Sequence, residues 1–589
     1  MYKFFFLIFL LSFGFAYSQN SQIEYESERT NINEKLYPGA FIFNKVNKQV
    51  FFKHEGIKVW CDKAIFYQSE NFFKAYGNVK MIQDDTINMR SAYAEYNGKT
   101  QFAFASENVV LTTPSNRLTT DSLFFDRVVQ KAFYRSGGTV KDTASTITSI
   151  RGTYELKNDK YAFRQNVKVT SPDYNIITDI LDFYTNNGHA YLYGPSVVTT
   201  ESGKVYCERG FFNTREDFGY FVKNSKVDYE QRTLYGDSIF FDQKLNFASA
   251  TNHIEIIDTI NRTRVKGHYA EVYKDKDSVI ITKNPIASTY QENDSIHIAS
   301  DTMMITGVPD KRIVRAYPDA RLFKSDLSGK ADSIHSSQVT GYTKLITKPI
   351  LWSANSQVNG DTIILISNME TEKLDSLKVF NNSFMVQKDS IEGFNQIKGK
   401  KLNGLFENNE LTEAHFIKNA ETIYYSRNED NELIGIDKTV ASSIKIEFQN
   451  REVADMYYYD NVSGNTYPEK ELPPNARTFR GMEWRGEEKI KSKADLLTDR
   501  PQYELPIIKG LKDIVDHVMG GLSREADAQQ SFYARRGPTS GTIDEEKIEV
   551  DADTEFVLPL KHLIQKHVKE ILVKEKLVKK QKKLLKMQN

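Results

Sequence analysis

The chain of 589 residues contains few cysteine, proline and tryptophan residues, and it has no excess of charge of either sign. Its 2 cysteines, Cys61 and Cys207, are too few for a disulfide framework. Lys plus Arg and Asp plus Glu both number 78, so no net field attracts a charged polymer, and we predict no nucleic-acid partner. The chain is rich instead in Phe (37) and Tyr (32), which favour β-strands.

Long apolar runs are absent beyond the first residues. The opening sequence MYKFFFLIFLLSFGFAYSQN combines Lys3, an apolar run and small residues before Gln19, which is the pattern of a signal peptide. Its apolar run of about a dozen residues is shorter than the roughly 20 residues that a membrane-spanning helix needs. We therefore predict that residues 1–18 are a signal peptide cleaved near Ser18, rather than a membrane anchor.

The sequence also lacks the usual patterns of catalytic and metal-binding sites. The nearest two of the 10 histidines, His562 and His567, lie five residues apart, and none has a metal-binding spacing. No phosphate-binding glycine loop, nucleophile elbow or dinucleotide fingerprint is present. The sequence thus predicts a protein that is not an enzyme and that needs no metal or cofactor.

A repeat of about 29 residues runs through the N-terminal half. An aromatic residue recurs at separations of 30, 29, 29, 29, 29 and 29 residues, at Phe66, Tyr96, Phe125, Tyr154, Phe183, Phe212 and Phe241. A second series of apolar residues comprises Val79, Val109, Val140, Val167, Val197, Val227 and Ile254, and it continues at Ile286, Ala320 and Ile350. Two interleaved series predict tandem units of strand, polar turn and strand.

The period loosens from about Asp301, and units exceed 40 residues by 401–453. We predict a lead-in over residues 19–57, regular β repeats over 58–300 and their irregular continuation over 301–474. Such units stack into an elongated all-β body whose inner face is a packed core or a groove, and composition alone favours the core. With one rung of about 4.8 Å per unit, Cys61 and Cys207 would lie about 24 Å apart and stay unpaired.

Residues 475–589 form a predicted C-terminal extension of different character. Helical spacing begins at 507–522, and an acidic run at 544–555 precedes the last segment. Residues 561–589 place apolar side chains near one stripe and ten lysines elsewhere, which predicts a basic amphipathic helix. Two interpretations stay open: peripheral contact with an anionic membrane or acidic partner, or a solvated, partly disordered terminal helix.

The repeat units have the form A-x-F/Y … A-x-G-N-V, clearest in AIFYQSENFFKAYGNVKM at 64–81. They resemble the OstA-like, LptA-type lipopolysaccharide transport proteins. The later sequences IKGKKLNGLFENNEL and YPEKELPP are similar to Bacteroidetes-type OstA-like proteins, so the resemblance spans about Val59 to Arg485. It implies an open, solenoid-like β-jelly-roll, V-shaped in section and built from stacked two-strand repeats. The resemblance does not cover the C-terminal tail, which the residue pattern alone predicts to be helical or disordered.

The resemblance also implies a role, which is carriage of lipopolysaccharide across the periplasm. The acyl chains of lipid A would lie in an apolar groove lined by the aromatic series Phe66 to Phe241 and the second series Val79 to Ile254. The implied partners are inner- and outer-membrane components of the transport machinery, joined end to end by β-augmentation, with self-stacking as a further expectation. Two alternatives stay open. The first is a β-solenoid that binds or cleaves polysaccharide. The second is the outer-membrane translocon of the same pathway, and the lysine-rich C-terminal end argues against the membrane barrel that a translocon needs.

Overall fold

The structure is a computed structural model that describes residues 22–508, except 202, 230, 291–294, 309–310, 372, 390 and 408–409. The predicted signal peptide, the basic segment 561–589 and most of the helical spacing at 507–522 lie outside the described residues. The chain divides into two compact units, Met1–Ile514 and Val515–Asn589. All described residues belong to the first unit.

The described residues form 40 β-strands and no α-helix. In chain order the strands are β1 (Glu24–Glu26), β2 (Arg29–Ile32), β3 (Phe41–Asn44), β4 (Val50–His54), β5 (Ile57–Cys61), β6 (Lys63–Tyr67), β7 (Phe72–Gln83), β8 (Ile87–Asn97), β9 (Phe102–Thr112), β10 (Arg117–Asp126), β11 (Lys131–Tyr134), β12 (Gly138–Lys141), β13 (Thr146–Ser149), β14 (Arg151–Glu155), β15 (Lys160–Thr170), β16 (Tyr174–Tyr184), β17 (His189–Thr200), β18 (Gly203–Asn213), β19 (Phe218–Tyr229), β20 (Arg232–Asp242), β21 (Phe247–Asp258), β22 (Thr263–Tyr273), β23 (Ser278–Thr282), β24 (Ile286–Tyr290), β25 (Ser295–Ala299), β26 (Thr302–Thr306), β27 (Ile313–Tyr317), β28 (Ala320–Phe323), β29 (Leu327–Ala331), β30 (Ser333–Ser337), β31 (Tyr342–Ile346), β32 (Ile350–Ser353), β33 (Ser356–Asn359), β34 (Thr362–Ser367), β35 (Leu374–Lys388), β36 (Phe394–Glu407), β37 (Glu410–Arg427), β38 (Leu433–Gln449), β39 (Glu452–Tyr459) and β40 (Ser463–Tyr467). Short 3₁₀ turns occur at Gln68–Glu70, Leu156–Asn158, Lys274–Lys276, Glu469–Glu471, Pro474–Ala476, Gly486–Glu488 and Ala494–Leu497.

The strands build one antiparallel ladder in which each long strand pairs with the next along the chain. From β15 to β22 the pairings run through successive hairpins. Elsewhere a long strand is interrupted at its middle, as between β5 and β6, and each half pairs with its own part of β7. The predicted all-β fold is confirmed, and the segment 19–57 that was predicted as a lead-in already contains β1 to β4.

A sharp bend at the middle of every second long strand divides the ladder lengthwise. In β7 the bend is made by Gly77 (φ 72°) and Asn78 (φ 45°), both left-handed, which face only Ala92 on β8. Glycine and asparagine tolerate this conformation best, so the repeated G-N-V sequence encodes a β-bulge. The same left-handed pair recurs at Glu107–Asn108, Gln165–Asn166, Lys223–Asn224, Asn252–His253, Lys283–Asn284, Thr347–Lys348, Asn381–Asn382, Lys418–Asn419 and Asp460–Asn461.

Each 29-residue unit adds two rungs to the ladder, and the expectation of one rung per unit was wrong. The link between units is itself a tight turn, as at 84–86 between β7 and β8, so both strands of a unit lie in the ladder. Ten strand pairings therefore separate Cys61 from Cys207, or about 48 Å. Both cysteines are free and buried, which confirms the prediction that they do not pair.

After β40 the chain reverses and returns along the sheet. Residues 468–507, which we call the strap, contain 3₁₀ turns and extended segments but no strand. The strap contacts the ladder from Lys438 on β38 to Asn252 on β21. In the part of the chain that the structure describes, no helix is long and apolar enough to cross a membrane.

Candidate functional site

The aromatic residues of the repeat lie side by side in one row, which we call the aromatic row. Phe125 on β10, for example, lies directly between Ala103 on β9 and Ala132 on β11. Tyr154 on β14 is likewise paired with Ala132 and with Tyr161. Two antiparallel strands and two turns return the chain to the same row, which is the physical origin of the 29-residue period.

The aromatic row lies on the inner face of the ladder. Phe66, Tyr96 and Tyr154 are buried in one apolar cluster, against which Phe125 and Phe183 also pack. Phe125, Phe183, Phe212 and Phe241 are all half-buried. The ring centroids of Phe212 and Phe241 lie 5.8 Å apart in a stacked arrangement, and neither residue belongs to that cluster.

A second row on the inner face, which we call the apolar row, lies on the other side of the bends. Each member is the direct cross-strand partner of the next, so the row is continuous. It comprises Val59, Met81, Met89, Leu111, Leu118, Val140, Ile147, Val169, Ile176, Val198, Val205, Val227, Leu234, Ile256, Val265, Ala287, Ile298, Leu322, Gly329, Leu351, Val358, Met385 and Ile397.

Burial varies along the apolar row in a way that separates three parts. The side chains of the row are buried from Met81 to Ile176, and both of these residues are 4% exposed. The row is buried again from Val265 onward. Between them lies a half-buried stretch on five consecutive strands, which we call the window. The window consists of Val198, Val205, Val227, Leu234 and Ile256.

The window lies where two apolar clusters meet: Val198 packs against the first cluster, and Val227, Leu234 and Ile256 pack against the second. One apolar cluster extends along the ladder to Leu192, and a second begins at Ile239. By contrast, the inner face around Met81 and Phe125 encloses a cavity of only about 20 Å³, because its side chains pack against one another. The inner face is thus a packed core over β7 to β11 and is more open at the window.

The second predicted series falls into three places. Val79, Val109, Val167 and Ile254 lie on the inner face directly after a bend, and all are buried. Val140 and Val227 are members of the apolar row itself. Val197 lies on the outer face. The difference arises because Ser196 follows the bend at Gly194, so that Val198 faces inward and Val197 pairs with Ile177, which is 60% exposed.

One group of polar side chains on the inner face is linked by hydrogen bonds around Tyr96. The Tyr96 hydroxyl accepts a hydrogen bond from Arg127 Nη1 at 2.9 Å and lies 2.8 Å from His54 Nδ1. Burial raises the pKa of Tyr96, against the opposing effect of Arg127. Burial likewise raises the pKa of the Cys61 and Cys207 thiols to about 12. The Tyr96 hydroxyl and the two thiols therefore stay neutral at physiological pH.

Charged side chains are instead paired on the outer face. Asp182 on β16 lies 2.7 Å from Lys160 and 2.8 Å from Arg164, both on the neighbouring strand β15. Among the described residues, no group of three or more His, Cys, Asp or Glu side chains could hold a metal ion. The arrangement therefore offers a long apolar inner surface bordered by charged outer surfaces.

Residues 26–179 match the family described as OstA-like protein. This stretch is similar to that family, and we call it the OstA-like region. The OstA-like region extends from β1 to β16, so it contains the aromatic row from Phe66 to Tyr154 and the apolar row from Val59 to Ile176. It ends just before the window. The family resemblance seen in the sequence is confirmed over these residues.

One similar solved structure is LptH from Pseudomonas aeruginosa, described as the LptA homologous periplasmic component of the conserved lipopolysaccharide transport device. It is 12% identical and covers 24% of this chain and 99% of its own length, with a TM-score of 0.19. At that score the likeness adds nothing to the fold, which rests on the strand ladder itself. No curated protein matches the chain.

Proposed function

We propose that this chain is a periplasmic carrier of lipopolysaccharide, in which the acyl chains of lipid A lie along the apolar row. The observation that carries the proposal is the continuity of that row, in which each side chain from Val59 to Ile397 directly neighbours the next across the strands and only Gly329 lacks an apolar side chain. Burial of an acyl chain contributes roughly 0.8 kcal/mol per CH₂. Because the residues of the row are similar, the binding free energy of an acyl chain has no deep local minimum along it, and the lipid can slide.

The window is the proposed place of first contact between lipid and protein. Its side chains, such as Val205 and Leu234, are half-buried and can bury further area against an acyl chain. Phe212 and Phe241 of the aromatic row lie on the same strands and extend the apolar surface across the bend. On both sides of the window the inner face is packed. An acyl chain can lie along those parts of the apolar row only if the two halves of the ladder move apart at the bends.

The residues predicted from the sequence to line the lipid groove are kept in this proposal, with one change. Phe66, Tyr96, Phe125, Tyr154, Phe183, Phe212, Phe241, Val79, Val109, Val140, Val167, Val227 and Ile254 remain proposed lining residues because each faces inward. Val198 takes the place of Val197, which faces outward.

The ends of the ladder are the proposed docking surfaces for other components. Within the described residues, β1 pairs only with β4, and β39 pairs only with β38, so backbone groups at both ends are available for a further strand. Inner- and outer-membrane transport components or a second copy of the chain would add strands there by β-augmentation. The proposal includes no catalytic step.

Photocrosslinking to purified lipopolysaccharide tests the carrier function. A photoreactive residue at Val205 or Leu234 is expected to crosslink, whereas one at Lys226 or Ile177 on the outer face is not. Lipid A without polysaccharide should compete, and polysaccharide without lipid A should not. Equal crosslinking from both faces, or competition by polysaccharide alone, would refute the acyl-chain groove and support the polysaccharide-binding alternative.

Peripheral membrane contact by residues 561–589 is a separate proposal, based on the ten lysines of that segment. Deleting residues 545–589 should lower binding to anionic vesicles and leave binding to neutral vesicles unchanged. Unchanged binding to the anionic vesicles would refute the proposed membrane contact.

Secretion into the periplasm also remains a proposal, checked by N-terminal sequencing of the mature chain for cleavage near Ser18.

A further inference from the structure

The ladder has two halves, which meet at the bends and end in separate rows of turns. We call the half that contains the aromatic row the aromatic half, and the half that contains the apolar row the apolar half. In β8, for example, Tyr96 lies in the aromatic half and Met89 in the apolar half. The turns at the ends of the strands, such as 98–101 and 84–86, form the free edge of each half. Contacts between the two free edges hold the halves together on the side opposite the bends.

Polar side chains join the two free edges over the first strands, and we call this group the first latch. Arg127, in a turn of the aromatic half, donates from Nη2 to the Glu55 carbonyl, in a turn of the apolar half, at 2.6 Å. Gln101 of the aromatic half donates to the carboxylate of the same Glu55. Gln83, at the end of β7 in the apolar half, donates to Gln130 of the aromatic half at 3.3 Å. Arg127 and Gln83 are 8% and 4% exposed, so water competes poorly for their bonds.

A second group, which we call the second latch, joins the two edges beyond the window. Asp258, at the end of β21 in the apolar half, lies 3.0 Å from Arg312 Nη1, just before β27 in the aromatic half. Gln338, just after β30 in the aromatic half, donates to Asn261 Oδ1 of the apolar half at 3.2 Å. Asp258 also lies 3.2 Å from Arg232, which belongs to its own half. The side chains of Asp258 and Arg312 are 7% and 17% exposed, so their ion pair is largely shielded from water.

The window lies between the two latches, and there the edges meet through a contact of a weaker class. Lys274 Nζ of the aromatic half lies 5.7 Å from the centroid of the Tyr229 ring, at the end of β19 in the apolar half. Lys274 is exposed and Tyr229 is half-buried. A cation–π contact at an exposed site contributes less than a shielded hydrogen bond to a charged group. The strength of edge contacts thus varies along the ladder in the same sense as the burial of the apolar row.

We propose that the two latches hold the free edges of the ladder shut on both sides of the window. The bend is the axis about which one half can turn against the other, and the free edge lies about five residues, or roughly 16 Å, away from it. A rotation of about 10° would move the edge by about 3 Å, which is enough to break the hydrogen bonds of a latch. The latches therefore oppose opening at its first step, and they do so whether or not the inner face binds lipid.

Thiol labelling of the full chain, without lipid, measures the opening next to each latch. The two native cysteines, Cys61 and Cys207, are replaced by Ala. Leu111→Cys then reports on the first latch, because Leu111 lines the same small cavity as Gln83. Val265→Cys reports on the second latch, because it lies on β22, whose end pairs with Asp258. Leu111 and Val265 are 7% and 4% exposed, so both thiols should react only when the edges part.

Arg312→Met should speed labelling at position 265 about tenfold, the effect of losing one hydrogen bond to a charged group, and leave position 111 unchanged. Arg127→Met should speed labelling at position 111 and leave position 265 unchanged. The matched control is Arg232→Met, which removes the partner of Asp258 that does not cross between the halves. It should leave both labelling rates within about twofold of their original values.

Gln338→Leu and Gln101→Leu test the second and first latch at less buried positions, in case an arginine variant does not fold, and each should speed labelling at its own reporter about threefold. Unchanged labelling at position 265 in Gln338→Leu and in a folded Arg312→Met would overturn the second latch. Equal acceleration by Arg232→Met and Arg312→Met would show that the pairing of Asp258, rather than contact between the edges, sets the rate. Acceleration of both reporters by one variant would refute local latches. Each of these results leaves lipid binding to the crosslinking experiment, so the two proposals fail separately.

Discussion

The same substitution at two places on the apolar row distinguishes a packed core from an open surface. Leu111 on β9 is 7% exposed inside the first cluster, whereas Leu234 on β20 belongs to the window and is half-buried. Leu111→Ala should lower the free energy of unfolding by about 3 kcal/mol, because it removes buried carbons and leaves a cavity. Leu234→Ala should cost about 1 kcal/mol, because less area is lost and water fills the site.

Denaturation by urea, followed by hydrogen exchange in β9 and β20, measures these losses strand by strand, since a ladder of nearest-neighbour contacts can unfold locally. The order should reverse for ligand binding, with Leu234→Ala weakening lipopolysaccharide binding more than Leu111→Ala. Equal destabilisation at the two positions would show that the window is as well packed as the rest of the row, and the reasoning from burial would fail.

Three further predictions follow from single sites. Gly77→Ala should lower stability by about 1 to 2 kcal/mol in urea denaturation, because the residue has φ 72° and a Cβ atom would lie 3.1 Å from a carboxylate oxygen. Cys61 and Cys207 should not react with a thiol reagent at pH 8 until the chain is unfolded, since burial raises their pKa to about 12; prompt reaction would contradict their burial. Burial tends to raise the pKa of Asp389, but hydrogen bonds from Arg427 hold it below its usual value, so the pair stabilises the fold above roughly pH 4. This stabilisation should fade on acidification in the native chain but not in Asp389→Asn, as measured by urea denaturation at a series of pH values.

The sequence by itself determined the strands, the turns and the repeat. Alternation of apolar and polar residues sets which side chains share a face, and left-handed pairs such as Gly77 and Asn78 set the bends, so both are local properties that the sequence shows directly. The aromatic series could be read from the sequence because the same row is visited once every two strands. The unpaired state of Cys61 and Cys207 followed from their separation along the ladder, although the distance was underestimated by half.

Only the tertiary structure decided how the rows are completed and covered. Half of the apolar row, including Val205 and Leu234, belongs to neither series of the sequence repeat and became visible only with the cross-strand register. Val197 faces outward because a bend fell one residue earlier than its motif suggested, and one residue is enough to reverse a strand's faces. The strap is held by long-range contacts such as that between Gln396 and Arg477, which are 81 positions apart and whose pairing no local pattern encodes.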